Sequence, residues 1–146
     1  MNQGDREPPP PLPVTTPQLP ASFDLGGRVA LLTGASKGIG EAMAWALAAA
    51  GAHVVVTSRQ QEAVEEVAAS IREAGGKASG RALHVGRHDT LADAVDEIAE
   101  AHGGLHVLVN NAAANPVYGP VENTSEAAYD KIMEVNVKGP FLLARA

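Results

Sequence analysis

The 146-residue sequence has no cysteine. That absence excludes disulfides, a thiol nucleophile and any cysteine-ligated zinc, and it suits a reducing compartment. Aromatic residues are nearly as scarce, at 3%, so platforms for stacking nucleic-acid bases are not expected. Positive charge is also short. Eleven Lys and Arg against 17 Asp and Glu leave a formal charge of −6, which argues against a nucleic-acid partner. No apolar run approaches a membrane span, and neither a secretory signal nor an Arg-rich transit pattern is present. The expectation is a cytoplasmic protein that engages neither membrane nor nucleic acid.

Proline is crowded into one place: seven of the ten are Pro8, Pro9, Pro10, Pro11, Pro13, Pro17 and Pro20. Residues 1–22 cannot bury enough apolar surface to offset ordering entropy, and a disordered Pro-rich tail is expected there. Composition favours a solvated extension over a polyproline ligand for a partner domain. Residues 23–146 are the remaining unit, long enough for one domain with a buried core.

Within that unit, strand-like and helix-like segments alternate. Strands are expected at Val29–Leu32, Val54–Thr57, Ala78–Val85 and Leu105–Val109; the second and fourth are almost wholly apolar, as in parallel strands covered on both faces. Val64, Val67, Ala68 and Ile71 share one face of the second helix, and Leu91, Val95 and Ile98 one face of the third. Gly51, Gly75-Gly76 and Gly103-Gly104 close the first three helices. Asp89 or Thr90 is expected to cap the third helix, and Asn123 with Glu126 to form a capping box for the fourth. The alternation predicts an α/β fold: a Rossmann-type doubly wound parallel sheet of about four strands in the order 3-2-1-4. The ligand crevice then lies between the first and fourth strands.

Thr33-Gly34-Ala35-Ser36-Lys37-Gly38-Ile39-Gly40 opens into that crevice. A strand, a glycine-rich turn and a helix start bring backbone N–H groups and a partial positive charge to one point, which suits a diphosphate. The spacing Gly-x-x-x-Gly-x-Gly differs from G-x-G-x-x-G and is weak by itself. Asn110-Asn111-Ala112-Ala113 follows the fourth strand, and Asn136-Val137-Lys138-Gly139 lies in the fourth helical segment. With these three motifs in order and spacing, residues 25–146 resemble the amino-terminal part of a classical short-chain dehydrogenase/reductase.

The resemblance implies hydride exchange between alcohols and carbonyls with a nicotinamide dinucleotide. It assigns Gly34, Ser36, Lys37, Gly38, Ile39 and Gly40 to the diphosphate turn, and Asn111, Ala112 and Ala113 to the cofactor ribose. Ala113 stands where the family usually has glycine. His84-Val85 stands where the family has Asp-Val against the adenine, so the carboxylate contact is lost while ring or backbone remains. Asn136 matches the asparagine of an Asn-Ser-Tyr-Lys tetrad, whose role is to hold a water. Pro140, four residues on, lacks the N–H that would pair with the Asn136 carbonyl, and a helix break there would free that carbonyl.

Charge decides the expected cofactor. An NAD site needs a carboxylate near the end of the second strand for the ribose 2′-hydroxyl. Thr57-Ser58-Arg59-Gln60-Gln61 has none, and Ser58, Arg59 and Lys37 suit a 2′-phosphate, so NADP(H) is expected over NAD(H). The pairs His84/His88 and His102/His106 share no helical face, and no metal is expected.

The tetrad is incomplete in this sequence. Tyr118 is followed at the fourth position by Glu122 and Tyr129 by Met133, so no Tyr-x-x-x-Lys supplies a general acid. The half sheet would leave Val107, Leu108 and Val109 on an open edge. A truncated oxidoreductase is therefore expected, its parent acting on a small carbonyl or alcohol and open to homo-oligomer formation. The alternative is a non-catalytic NADP(H)-binding module. An S-adenosylmethionine-binding transferase would share the glycine turn but leaves Asn110–Ala113 and Arg59 unexplained.

Overall fold

The first apolar run, Val29–Leu32, forms a strand that extends by one residue to Thr33, and all five residues are buried. It is flanked on both sheet faces by helices, in a computed structural model that describes residues 23–146. The tail expected over 1–22 lies outside the described residues. In chain order the elements are β1 (Val29–Thr33), α1 (Gly38–Ala49), β2 (His53–Ser58), α2 (Gln61–Glu73), β3 (Lys77–Ala82), α3 (Leu91–His102), β4 (Val107–Val109), α4 (Glu126–Met133) and α5 (Gly139–Arg145). Short 3-10 turns precede α3 and α4. The sheet has the order β3-β2-β1-β4, all parallel, as the alternation predicts.

Side-chain alternation splits the core into two layers. Ala30 and Leu32 of β1 with Val54 and Val56 of β2 meet Ala44 and Ala48 of α1 and Val64, Val67, Ala68 and Ile71 of α2. Val29, Leu31 and Val55 point the other way, onto Leu91, Ala94, Val95 and Ile98 of α3, with Val135 and Leu143 beside them. Both predicted helical faces are thus the buried ones. Burying one such Val, Leu or Ile side chain contributes about 1.5–3 kcal/mol.

Four local expectations need correction. The third strand ends at Ala82, not Val85: after a last bond from the Leu83 N–H to the Ser58 carbonyl at 2.7 Å the chain leaves the sheet, and Leu83 to Val85 line the crevice. Asn123 caps nothing and lies in a 3-10 turn; Ser125 is the N-cap of α4, its hydroxyl accepting from the Ala128 N–H at 3.2 Å. Thr90 sits at the start of α3 without capping it, its hydroxyl donating backwards to the Arg87 carbonyl at 3.0 Å. Finally, the break expected at Pro140 takes the form of a widened turn between α4 and α5, with no gap in the helical path. Residues Glu134–Lys138 form a π-turn in which the Gly139 N–H reaches back to the Glu134 carbonyl, and α5 continues from it. A wider turn absorbs the missing proline N–H without ending the helix. No helix among the described residues is long and apolar enough to cross a membrane.

Candidate functional site

Parallel strands all end on the same side, and there the chain leaves β1 through the glycine turn. Gly34 has φ +67, and a Cβ on it would lie 2.8 Å from the Ala112 backbone. Gly40 has no room either: a Cβ would come within 2.2 Å of the Gly34 carbonyl oxygen. Gly38 differs from both. Its φ is +61 and nothing lies within 4 Å of where its Cβ would be. The first and third glycines let protein backbone pack on itself, and the second leaves an open hollow beside the start of α1. Lys37, the residue before that 12-residue helix, makes no side-chain cap bond. The first N–H groups of α1 therefore point outward with the positive end of the helix dipole.

A buried hydroxyl ties the turn to β4. Thr33 Oγ1 accepts from the Asn111 and Ala112 N–H groups, each at 3.1 Å, and donates to the Val109 carbonyl at 3.4 Å. Asn111 Nδ2 donates to the carbonyls of Thr33 (3.0 Å) and Gly34 (2.9 Å). Asn111 thus spends its amide on holding the turn and meets the crevice mainly through its flank. The Ala35 N–H bonds the Thr57 carbonyl of β2 at 2.9 Å, while Thr57 Oγ1 donates to the Leu32 carbonyl at 3.0 Å. Three strand ends are locked together around one turn.

Asn136 grips the other wall. Its Oδ1 accepts from the Ala114 N–H at 2.7 Å and its Nδ2 donates to the Ala114 carbonyl at 3.0 Å. This two-point clamp fixes the loop after β4. It joins the π-turn, which Gly139 presses against the Val85 carbonyl; a Cβ there would lie 2.6 Å from that oxygen.

Between these walls lies a cleft of about 630 Å³, within the size range of cofactor sites, roughly 300–1,000 Å³. Gly34, Ser36, Lys37, Ser58, Arg59, His84, Val85, Asn111, Ala112 and Ala113 all line it, so most of the sequence-predicted cofactor residues converge. Gly38, Ile39, Gly40 and Asn136 are not part of its lining: Gly38 and the 77%-exposed Ile39 stand at the helix start, Gly40 is packed beneath, and Asn136 acts through Ala114. Ser58 shapes the corner after β2, its Oγ accepting from the Gln60 N–H at 3.4 Å.

His84 is held as an acceptor at Nδ1 by the Gly86 N–H at 3.1 Å, so the neutral ring carries its proton on Nε2. Partial burial lowers its pKa from the ordinary histidine value, followed by Lys131 and, more weakly, Arg59 and Arg87; its own backbone pulls the other way. Sequence reasoning missed Thr33 and Thr57 as the ties of the turn, Ala114 as the partner of Asn136, and Lys131 and Arg87 as cations near His84. Only Thr33, adjacent to the glycine motif, carried a signal that could have found it. Among the described residues no three His, Asp or Glu side chains gather into a metal-binding group. His102 stacks instead on His53, with ring centroids 4.2 Å apart.

The hollow at Gly38, the outward N–H groups of α1 and the cations Lys37 and Arg59, which form no ion pair among the described residues, fit a dinucleotide with negative phosphates. Comparison with known proteins agrees. The sequence model described as short chain dehydrogenase matches residues 28–146. Human dehydrogenase/reductase SDR family member 4 is 40% identical over 122 residues, covering 84% of this chain and 44% of that protein. A metagenomic short-chain oxidoreductase solved in complex with NADP is 41% identical with a TM-score of 0.78, over 83% of this chain and 55% of that one. A 3-ketoacyl-(acyl-carrier-protein) reductase from Brucella melitensis, complexed with NADH, is 35% identical with a TM-score of 0.76, over 84% and 49%. The chain spans less than half the length of the curated relatives it matches.

Proposed function

This chain belongs to the short-chain dehydrogenase family, and from that premise we propose that it is the cofactor-capturing part of an NADP(H)-dependent oxidoreductase acting on a small carbonyl or alcohol. The observation that carries the cofactor choice is the β2–α2 corner, where Arg59 and Ser58 line the cleft and no carboxylate does. A carboxylate there would bond the 2′-hydroxyl of NAD and repel a 2′-phosphate; a guanidinium does the reverse. Lys37 adds a second cation on the same cleft. Its neighbours in structure include one complexed with NADP and one with NADH, so the choice rests on these side chains.

The residues divide the work. Outward N–H groups at the start of α1 receive the diphosphate, with Gly38 giving it room. Ala112 and Ala113 offer a flat wall for the ribose, held in place through Thr33 and Asn111. His84, kept neutral by burial and by the cations near it, presents Nε2–H toward the adenosine end. Asn136 holds the Ala114 loop on the side where the reacting ring would lie, and in the family reading its carbonyl keeps a water for the proton relay. When bound, the nicotinamide supplies or accepts the hydride that interconverts alcohol and carbonyl. The proton on the substrate oxygen has no donor among these residues, since the sequence contains no Tyr-x-x-x-Lys. The 146 residues by themselves should bind the cofactor without reducing carbonyls.

The test is a pair of fluorescence titrations with NADPH and NADH. NADPH is expected to bind at least about tenfold more tightly, the value of one charge-assisted contact. Equal affinities, or tighter NADH, would overturn the cofactor assignment. Carbonyl reduction by this chain would overturn the account of the missing acid.

A further inference from the structure

The cleft continues past His84. A second cavity of about 240 Å³ shares Arg59, Leu83 and His84 with it and is lined in addition by Arg81, Arg87 and Thr90. Three guanidinium-bearing residues from three positions, after β2, in β3 and after β3, thus surround one small space. Arg81 is neutralised by an ion pair with Glu97 of α3. Among the described residues neither Arg59 nor Arg87 has an acidic partner within ion-pair distance. Both are close enough to His84 to press on its proton equilibrium. Two unpaired like charges on one small cavity, in a chain of net charge −6, repel each other unless an anion lies between them.

Arg87 is placed by backbone bonds. Its N–H donates to the His84 carbonyl at 2.8 Å, and its own carbonyl accepts from the Thr90 N–H at 3.2 Å and Thr90 Oγ1 at 3.0 Å. The turn is thereby fixed, so that only the exposed Arg87 side chain, and not the backbone that carries it, has to order when an anion arrives.

We propose that Arg87 is a specificity-determining residue that closes with Arg59 on the 2′-phosphate of the dinucleotide from the opposite side of this cavity. Selectivity for the phosphorylated cofactor is then built by two loops, with Arg87 supplying an arm that the corner after β2 does not contain. The inference rests on the NADP(H) reading, and its test separates the two.

Adenosine 2′,5′-bisphosphate and AMP differ only by the 2′-phosphate, so the ratio of their affinities for the full chain, measured by calorimetry, isolates that group. Arg87→Ala is expected to lower the ratio roughly tenfold, as for one lost charge-assisted contact. Arg87→Lys should keep part of it, since the charge survives and the fork does not. Arg28→Ala removes the same charge at the opposite end of the sheet and should leave the ratio intact. Circular dichroism checks that each variant is folded, which the absence of side-chain bonds to Arg87 favours. If Arg59→Ala collapses the ratio and Arg87→Ala does not, the role of Arg87 is refuted while the cofactor reading stands. If Arg28→Ala lowers it as much as Arg87→Ala, the effect is diffuse charge and the inference falls. If the unaltered chain shows no preference for the bisphosphate, or binds neither compound, the cofactor reading fails and takes this one with it.

Discussion

Gly34, Gly38 and Gly40 serve two different needs within seven residues, and substitution should tell them apart. Gly40→Ala must push a Cβ into a carbonyl oxygen 2.2 Å away, so the turn has to move; a loss of about 3 kcal/mol or more in urea unfolding is expected. Gly38→Ala meets open space and pays only for its φ of +61, about 1–2 kcal/mol, while its methyl intrudes where the diphosphate would sit. Equal stability losses for the two would contradict this division. The histidines give a second expectation at this scale. Burial lowers the His53 pKa, with His102 and Lys77 adding to it, and the His84 pKa is lowered as well. In the unfolded chain both titrate near 6.5. Because the folded values are depressed, the unfolded state binds more protons in the window below about 6.5. Stability is therefore complete above that pH and lost as pH falls through it toward the folded values. Thermal unfolding between pH 7 and 5 checks this, and His53→Gln should flatten the slope.

The π-turn before α5 shows how an element can be set by a partner as well as by its own sequence. Pro140 removes one N–H, but whether a helix breaks or widens depends on what presses against it. Here Gly139 lies against the Val85 carbonyl, the His88 ring bonds the Glu134 carbonyl at 3.0 Å, and Asn136 reaches Ala114. These contacts hold the widened turn onto the end of the third βα unit. Gly139→Ala would place a Cβ 2.6 Å from the Val85 oxygen, and a destabilisation of about 2 kcal/mol is expected in chemical unfolding. Asn136→Ala should act locally: hydrogen exchange at the Ala114 amide should rise roughly tenfold, as for one net hydrogen bond lost. No change there would mean the clamp does not hold the loop.

Across the whole molecule, the sheet is finished differently at its two edges. β3 carries Lys77 and Arg81 and takes an α2 clamp, Gln61 bonding the Gly80 carbonyl at 3.0 Å and the Ala82 N–H at 2.7 Å. β4 is the apolar sequence Val107-Leu108-Val109, half-buried and bonded within this sheet to β1. The cleft sits over the junction of β1 and β4, so a ligand there bridges both layers and should stabilise the fold as a unit. A hundredfold excess of NADPH over its Kd corresponds to about 2.7 kcal/mol, or a rise in Tm of roughly 10 °C for a domain of this size. NADH at the same concentration should give a smaller rise; a larger one would count against Arg59 as a phosphate ligand.

The order of strands and helices, the two buried helical faces and the glycine turn were legible in the sequence, because each rests on periodicity or on a backbone conformation that glycine alone takes easily. The boundary at Ala82, the cap at Ser125 and the widened turn before α5 were not, because in each case a competing hydrogen bond or a close neighbour chose among alternatives that were locally similar. The same holds for the site. The residues expected to meet phosphates could be named from the glycine spacing, the charges and the family resemblance, since these are written in the sequence itself. That Asn111 spends its amide on the turn, that Asn136 grips Ala114, and that Arg87 comes round to face the cavity of Arg59 depended on how segments far apart in the chain meet, and only tertiary packing sets those distances.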